Sequence, residues 1–214
     1  MSIRTGIRAD TKGGTVPTGV HIRDVRDQLF DAAERVLVRD GPNALTSRAV
    51  TTEAGCAKGV LYRHFEDFDA FLADLVLDRR DRMDTQAAAL RAAAGSGTVA
   101  GNLAEALTAS FSPVAVAMVA LVTFRFELRV RLRRAWPSGV PLLTEAVVMV
   151  ADYLIAEREF GRITADADVD TLAPTLIGAA HLLFADGAGA PPAADAVRKM
   201  VATVLAGVVQ GPGR

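Results

Sequence analysis

The strongest constraint on this chain is the spacing of its apolar residues, which return every three or four positions in stretches closed by glycine or proline. From Asp24 onward Val25, Leu29, Ala32, Ala33, Val36 and Leu37 make one helical face, with Asp27, Asp31, Glu34 and Arg35 mostly outward. Gly41-Pro42 ends that helix. Two short helices follow, about Ser47 to Ala54 and Lys58 to His64, separated by Gly55, with Thr46 placed to accept from the first-turn amides. A long helix from about Phe68 carries Phe71, Leu72, Leu75, Val76, Met83 and Leu90 on one face and closes at Gly95-Ser96-Gly97. Further helices are expected over Val99 to Phe111, Pro113 to about Trp136, Pro141 to Phe160, Val169 to Ala185 and Pro192 to Val209. Glu127 to Arg133 alternates like a strand, but Leu121, Phe124, Leu128, Leu132 and Trp136 keep helical spacing across it. The expectation is an all-α fold of about nine helices.

Composition excludes several classes. Half of the 214 residues are hydrophobic and 23% are charged, which is neither disordered nor collagen-like. A single cysteine, Cys56, permits no intrachain disulfide. The N-terminus lacks the apolar core of a secretory signal. The most apolar run, Pro113 to Phe124, is well short of the roughly 20 residues of a membrane span. These features read as a soluble, cytoplasmic protein, and the abundance of arginine and alanine fits a GC-rich bacterial genome.

Catalytic patterns are poorly met. His21, His64 and His181 are scattered without metal-ligand spacing, and there is no GxSxG. Gly187-Ala188-Gly189 lacks the strand and further glycine of a dinucleotide fingerprint. No cofactor, metal or catalytic residue is assigned, and the chain is not read as an enzyme.

Leu45 to Phe65, LTSRAVTTEAGCAKGVLYRHF, has the form of a helix-turn-helix. Leu45, Val50 and Ala54 face inward, Gly55 turns the chain, Cys56 fills a small apolar slot, and Leu61 and Phe65 anchor the second helix. Ala57, Lys58, Gly59, Val60, Tyr62, Arg63 and His64 are left outward, where such a helix can enter a major groove. Tyr62 could instead be a packing aromatic, and helix-turn-helix shapes also occur in proteins that never touch nucleic acid.

The span Leu29 to Leu72 resembles the DNA-binding domain of tetracycline-repressor (TetR) family regulators, through DAAERVLVRDG, LTSRAVTTEAG and KGVLYRHF. Beyond it the resemblance extends only to helix number and length. It implies a homodimeric transcriptional regulator, read here as a repressor, that binds a near-palindromic double-stranded operator and is released by a small effector. The domains expected are a flexible arm (1–22), a helix-turn-helix domain (23–67) and a helical effector-binding and dimerisation domain (68–214). The resemblance places Thr46, Ser47 and Arg48 near phosphates at the start of the second helix, Tyr62 on a phosphate, His64 within reach of one, and Ala57, Lys58, Gly59, Val60 and Arg63 toward bases or backbone. The chain departs from the family at Glu66-Asp67-Phe68, where a lysine is common; this removes a phosphate contact and adds repulsion that Arg4, Arg8 and Lys12 in the arm could offset.

The last two helices carry the expected dimer stripes, Leu172, Leu176 and Leu183 on one and Val197, Met200, Val201, Val204, Leu205 and Val208 on the other. The alternative is that both pack inside one subunit. Met83, Phe111, Met118, Phe124, Trp136, Val150, Tyr153, His181 and Phe184 are candidate linings of an effector pocket, most of them equally readable as core. His181 reads first as a hydrogen-bonded core histidine. Arg125, Arg129 and Arg133 share a helix face that is either solvated or a site for an anionic effector, although the apolar set favours a hydrophobic or aromatic one. The long helix from Phe68 is the expected lever, with ligand wedged near Met83. The competing classes are a helical adaptor or small-molecule-binding protein without DNA binding and, less favoured, an enzyme.

Charge is consistent with the division. Residues 1–66 hold ten Lys/Arg against eight Asp/Glu, and 67–214 hold fourteen against seventeen, so the net −1 conceals a mildly basic N-terminal part.

Overall fold

The computed structural model describes residues 18–134, 136, 137, 139–185 and 191–210, with side chains from residue 25 onward. Arg4, Arg8, Lys12 and Gly187-Ala188-Gly189 lie outside the described residues, as does the side chain of His21. Among the described residues there are ten α-helices: α1 (Thr18–Asp40), α2 (Ser47–Glu53), α3 (Lys58–His64), α4 (Phe68–Ala92), α5 (Val99–Ser110), α6 (Pro113–Phe124), α7 (Phe126–Leu132), α8 (Leu143–Glu159), α9 (Val169–Ala185) and α10 (Ala194–Val204). Among the described residues there is no strand, only one isolated antiparallel bridge between Ile163 and Val209. No single described helix is long and apolar enough to cross a membrane.

Helices α1 to α3 close a small head over Leu29, Val36, Leu45, Val50 and Leu61, all 1% exposed or less. Phe30, Phe65 and Phe71 join the head to the first turns of α4, with ring centroids 5.0–5.9 Å apart. The rest is a helical body. Helix α4 runs from the head into it and packs on α5, α7 and α8; α1 rests on α6; α10 packs on α5 and α9.

Three boundaries differ from the sequence expectation. Helix α1 begins at Thr18, inside the segment read as arm. The helix expected over Pro113 to Trp136 is two, broken at Arg125, whose backbone is extended (φ −98°, ψ 99°). Leu121, Leu128 and Leu132 stay buried, but the break throws Phe124 onto the surface, 79% exposed. The cause is a partner far away in sequence: the Arg125 Nε donates to Asp69 at 2.6 Å, and its guanidinium lies 5.3 Å from the Phe68 ring centroid. The last helix stops at Val204 rather than Val209. The chain then turns back, with Gly207 at φ 89°, so that the Thr164 N–H donates to the Val208 carbonyl and the Gln210 N–H to that of Arg162.

The last two helices also correct the expected dimer stripes. Leu176, Val197, Val201 and Leu205 are 2% exposed or less within one subunit, and Leu172, Leu183, Met200, Val204 and Val208 are only partly buried at its edge. The first four are therefore core. The outward face of α9 is instead Asp170, Thr171, Pro174, Thr175, Gly178 and Leu182.

Candidate nucleic-acid interface

The two short helices of the head form where local chemistry places them. The Thr46 Oγ1 accepts from the Ala49 N–H at 3.1 Å, capping α2, while its own O–H remains free to donate outward. Gly55, at φ 67°, takes the left-handed conformation that turns the chain into α3. Cys56 is partly buried against the core, in the slot expected. Leu61 and Phe65 hold α3 from inside, at 0% and 5% exposure.

The opposite face of α3 is open. Ala57, Lys58, Gly59, Tyr62 and Arg63 are exposed; Val60 and His64 are half-buried. A Cβ at Gly59 would meet nothing within 4 Å, so nothing in the fold requires glycine there. The Tyr62 O–H donates to the Ser47 Oγ at 3.2 Å. That bond brings the outward face of α3 against the start of α2, where Thr46, Ser47 and Arg48 sit. Tyr62 is thus a surface group and not a packing aromatic.

Not all the basic residues of the head are available. Arg35 and Arg39 each donate to Glu53 at 2.8 Å, and Arg26 to Asp74 at 2.8 Å. Hydrogen bonds from Arg35 and then Arg39 hold the Glu53 carboxyl below its ordinary range. Arg48, Lys58 and Arg63 have no acidic partner among the described residues, and they flank the surface built by α3 and the start of α2. Three free cations therefore line it.

The acidic segment after α3 is engaged elsewhere. Asp67 caps α4, accepting from the Ala70 N–H at 2.7 Å, and its other oxygen accepts from Arg131 at 2.6 Å. Glu66 lies 3.7 Å from the same guanidinium with its side chain 83% exposed. With Arg125 on Asp69, two arginines at either end of α7 grip the first turn of α4 directly behind α3. Sequence reasoning assigned no such role to Arg131. Its partner lies 64 positions away, and no local spacing announces it.

The candidate pocket residues do not gather into one site. Met118, Val150 and Tyr153 are fully buried core, and the surface position of Phe124 removes it from any lining. Tyr153 belongs to a polar network: its O–H donates to Glu157, the Asn102 Nδ2 donates to its oxygen at 3.0 Å, and Glu157 also accepts from the Gly95 N–H and pairs with Arg162 at 3.3 Å. Burial, and then Glu157, push the Tyr153 phenol above its ordinary value. Phe111 and Phe184 stack at 5.4 Å beside a cleft of about 190 Å³. Met83 borders a hollow of about 270 Å³ between α4 and α8, and Trp136 a cavity of about 380 Å³. His181 lies 6.3 Å from Phe111, but its buried Nδ1 has no hydrogen-bond partner among the described residues, contrary to expectation. No group of three or more His, Cys, Asp or Glu among the described residues could hold a metal ion.

A three-helix head presenting the open, cation-lined face of α3, mounted on a helical body, defines a helix-turn-helix protein. The model of the family of bacterial regulatory proteins designated tetR matches residues 29–75, which span the head from Leu29 and the first two turns of α4. Solved structures share the fold beyond the head. A TetR-family regulator from Agrobacterium tumefaciens superposes with a TM-score of 0.68 at 15% identity, covering 88% of this chain and 100% of its own. One from a Rhodococcus species gives 0.64 at 20%, covering 88% and 100%. The Bacillus subtilis regulator FadR, in complex with stearoyl-CoA, gives 0.64 at 18%, covering 85% and 98%. No curated protein sequence matches the chain.

Proposed function

We propose that this protein is a DNA-binding transcriptional regulator, acting as a homodimeric repressor on a near-palindromic operator and released by a small effector held in the helical body. The reading is carried by the open face of α3, with Tyr62 bonded to Ser47 and with Arg48, Lys58 and Arg63 free beside it. Residues near the N-terminus of α3, Ala57, Lys58, Gly59 and Val60, enter the major groove, where base edges can be distinguished. Thr46, Ser47, Arg48 and Tyr62, with His64 at the far end, position the head on the phosphates and carry no sequence information themselves. Gly59 contributes by its lack of a side chain, letting the backbone approach the duplex.

Two heads separated by about one helical turn of DNA read a two-fold symmetric site. Supporting a dimer, the exposed face of α9 beyond Asp170 in its first turn is uncharged, and Leu182 is 72% exposed upon it. Regulation then requires the effector to favour one arrangement of the heads, with a coupling of about 1–3 kcal/mol changing operator affinity roughly 5–150-fold. Helix α4 is the lever, entering the body directly from the head.

The test is selection of bound duplexes from a random pool, followed by affinity measurements on the recovered site. Tyr62→Phe and Arg63→Ala are expected to weaken binding while sedimentation shows an unchanged dimer. Recovery of no consensus, or full affinity in both variants, refutes the assignment.

A further inference from the structure

Four of the arginines in and beside α7 divide into two pairs. Arg125 and Arg131 are committed to Asp69 and Asp67. Arg129 and Arg133 are exposed and have no acidic partner among the described residues; both line the cavity of about 380 Å³ enclosed by the end of α6, α7 and the loop that follows. Among the described residues no carboxylate contributes to that lining. Apart from the arginines and Thr123 its walls are apolar: Val122, Leu132 and Trp136 are core residues, and Val140 packs against the core. The Arg129 guanidinium is restrained by the Phe126 ring, 5.9 Å from its centroid.

The outer wall is a shaped one. Glu145 of α8 accepts from the Trp136 indole N–H and, at 2.7 Å, from the Leu142 N–H, fastening the loop at both ends. Gly139 sits at φ 80°, and a Cβ there would come within 2.4 Å of the Thr144 Oγ1, so only glycine fits this turn. A volume near 380 Å³ lies toward the small end of the range of about 300–1,000 Å³ found for ligand sites.

We propose that this cavity binds a small amphipathic anion, with a carboxylate or phosphate between Arg129 and Arg133 and an apolar body against Val122, Leu132, Trp136 and Val140. Guanidinium suits both headgroups because its planar fork donates in pairs to either. Two unneutralised cations lining an apolar pocket disfavour a neutral guest, which would leave them unpaired. The inference rests on the reading of the body as effector-binding and, at Arg129 and Arg133, takes the anionic alternative over the hydrophobic or aromatic effector that the apolar candidate set favours. The position is apt for that role, since the same seven-residue helix grips the first turn of α4.

Trp136 is the only tryptophan in the chain, so fluorescence excited selectively at tryptophan, apart from the two tyrosines, reports from the wall of this cavity. The full-length protein is titrated with octanoate, octyl phosphate and octan-1-ol, which share an apolar body and differ in head. Saturable fluorescence change is expected for at least one anion, at least about tenfold tighter than for the alcohol, and the stronger of the two identifies the headgroup. In Arg129→Gln/Arg133→Gln the anion is expected to fall to the affinity of the alcohol, whose own binding stays unchanged. Equal binding of alcohol and anions, no saturable response to any probe, or an undiminished anion affinity in the double variant overturns the proposal. DNA affinity measured without probe tests the head separately and is expected to be equal in parent and variant. A loss there would assign these arginines to DNA and likewise overturn the proposal.

Discussion

The ion pairing of the head leads to a quantitative expectation for salt dependence. Each phosphate neutralised by a cation releases condensed counterions, so log K falls with log salt at a slope of about −0.9 per contact. The head carries Arg26, Arg35, Arg39, Arg48, Lys58 and Arg63 in its described side chains, but the first three are bound to Asp74 and Glu53. Three free cations per head and two heads per dimer make about six contacts, contributing about −5 to the slope and roughly a thousandfold loss of affinity between 50 and 200 mM salt. Substituting Arg63→Ala removes two of the six and is expected to make the slope shallower by about 1.8. Arg39→Ala is expected to leave it unchanged, because that guanidinium is already held by Asp40 and Glu53. Fluorescence anisotropy on a labelled non-specific duplex across a salt series reads both. A parent slope near −2.7, the value for a single head, would refute two-headed binding. A slope that falls with Arg39 as much as with Arg63 would refute the division of the head's cations into paired and free.

Two further outcomes concern the body and the contact between α1 and α4. Glu157 is fully buried and bonded to Tyr153, Gly95 and Arg162. Glu157→Ala breaks this network. Because the Arg162 side chain is one-quarter exposed, the expected cost is about 2–3 kcal/mol, below that of a wholly buried pair. Calorimetry should show a fall in Tm of roughly 4–12 °C, and an unchanged Tm would refute the network's role. Glu34, between α1 and α4, has its carboxyl pushed above the ordinary range by burial, against the opposing pull of Arg82 and Arg79. A raised carboxylate pKa gives stability that is present at acid pH and lost as pH rises through the folded value. Glu34→Gln should therefore gain stability relative to the parent as pH rises through and above the ordinary carboxylate range, read from urea midpoints; a difference independent of pH would contradict this.

The head and the body differ in how far their chemistry is local. Helix α3 has the bounds read from sequence, Lys58–His64, because each signal lies within a few residues: the Thr46 cap, the left-handed Gly55 and the Leu61–Phe65 anchor. Val169–Ala185 is likewise bounded as expected, with Asp168 bonded to both the backbone and the hydroxyl of Thr171 at its start. The break at Arg125 was not legible, because Leu121, Leu128 and Leu132 keep their spacing through it while Asp69, which holds Arg125, is 56 positions distant. The stripe Val197, Val201 and Leu205 satisfies an intrachain core and an intersubunit face equally well as a pattern. Packing of α10 on α5 and α9 decides for the core.

The sequence by itself determines the helical class, the helix-turn-helix and the outward set on α3, since periodicity, caps and glycine turns act over distances of one or two helical turns. Tertiary structure alone decides which cations are free. Arginines look alike in a sequence, and an ion pair depends on distance in space: Arg125 and Arg131 are consumed in holding α7 to α4, while Arg129 and Arg133 are left facing a cavity.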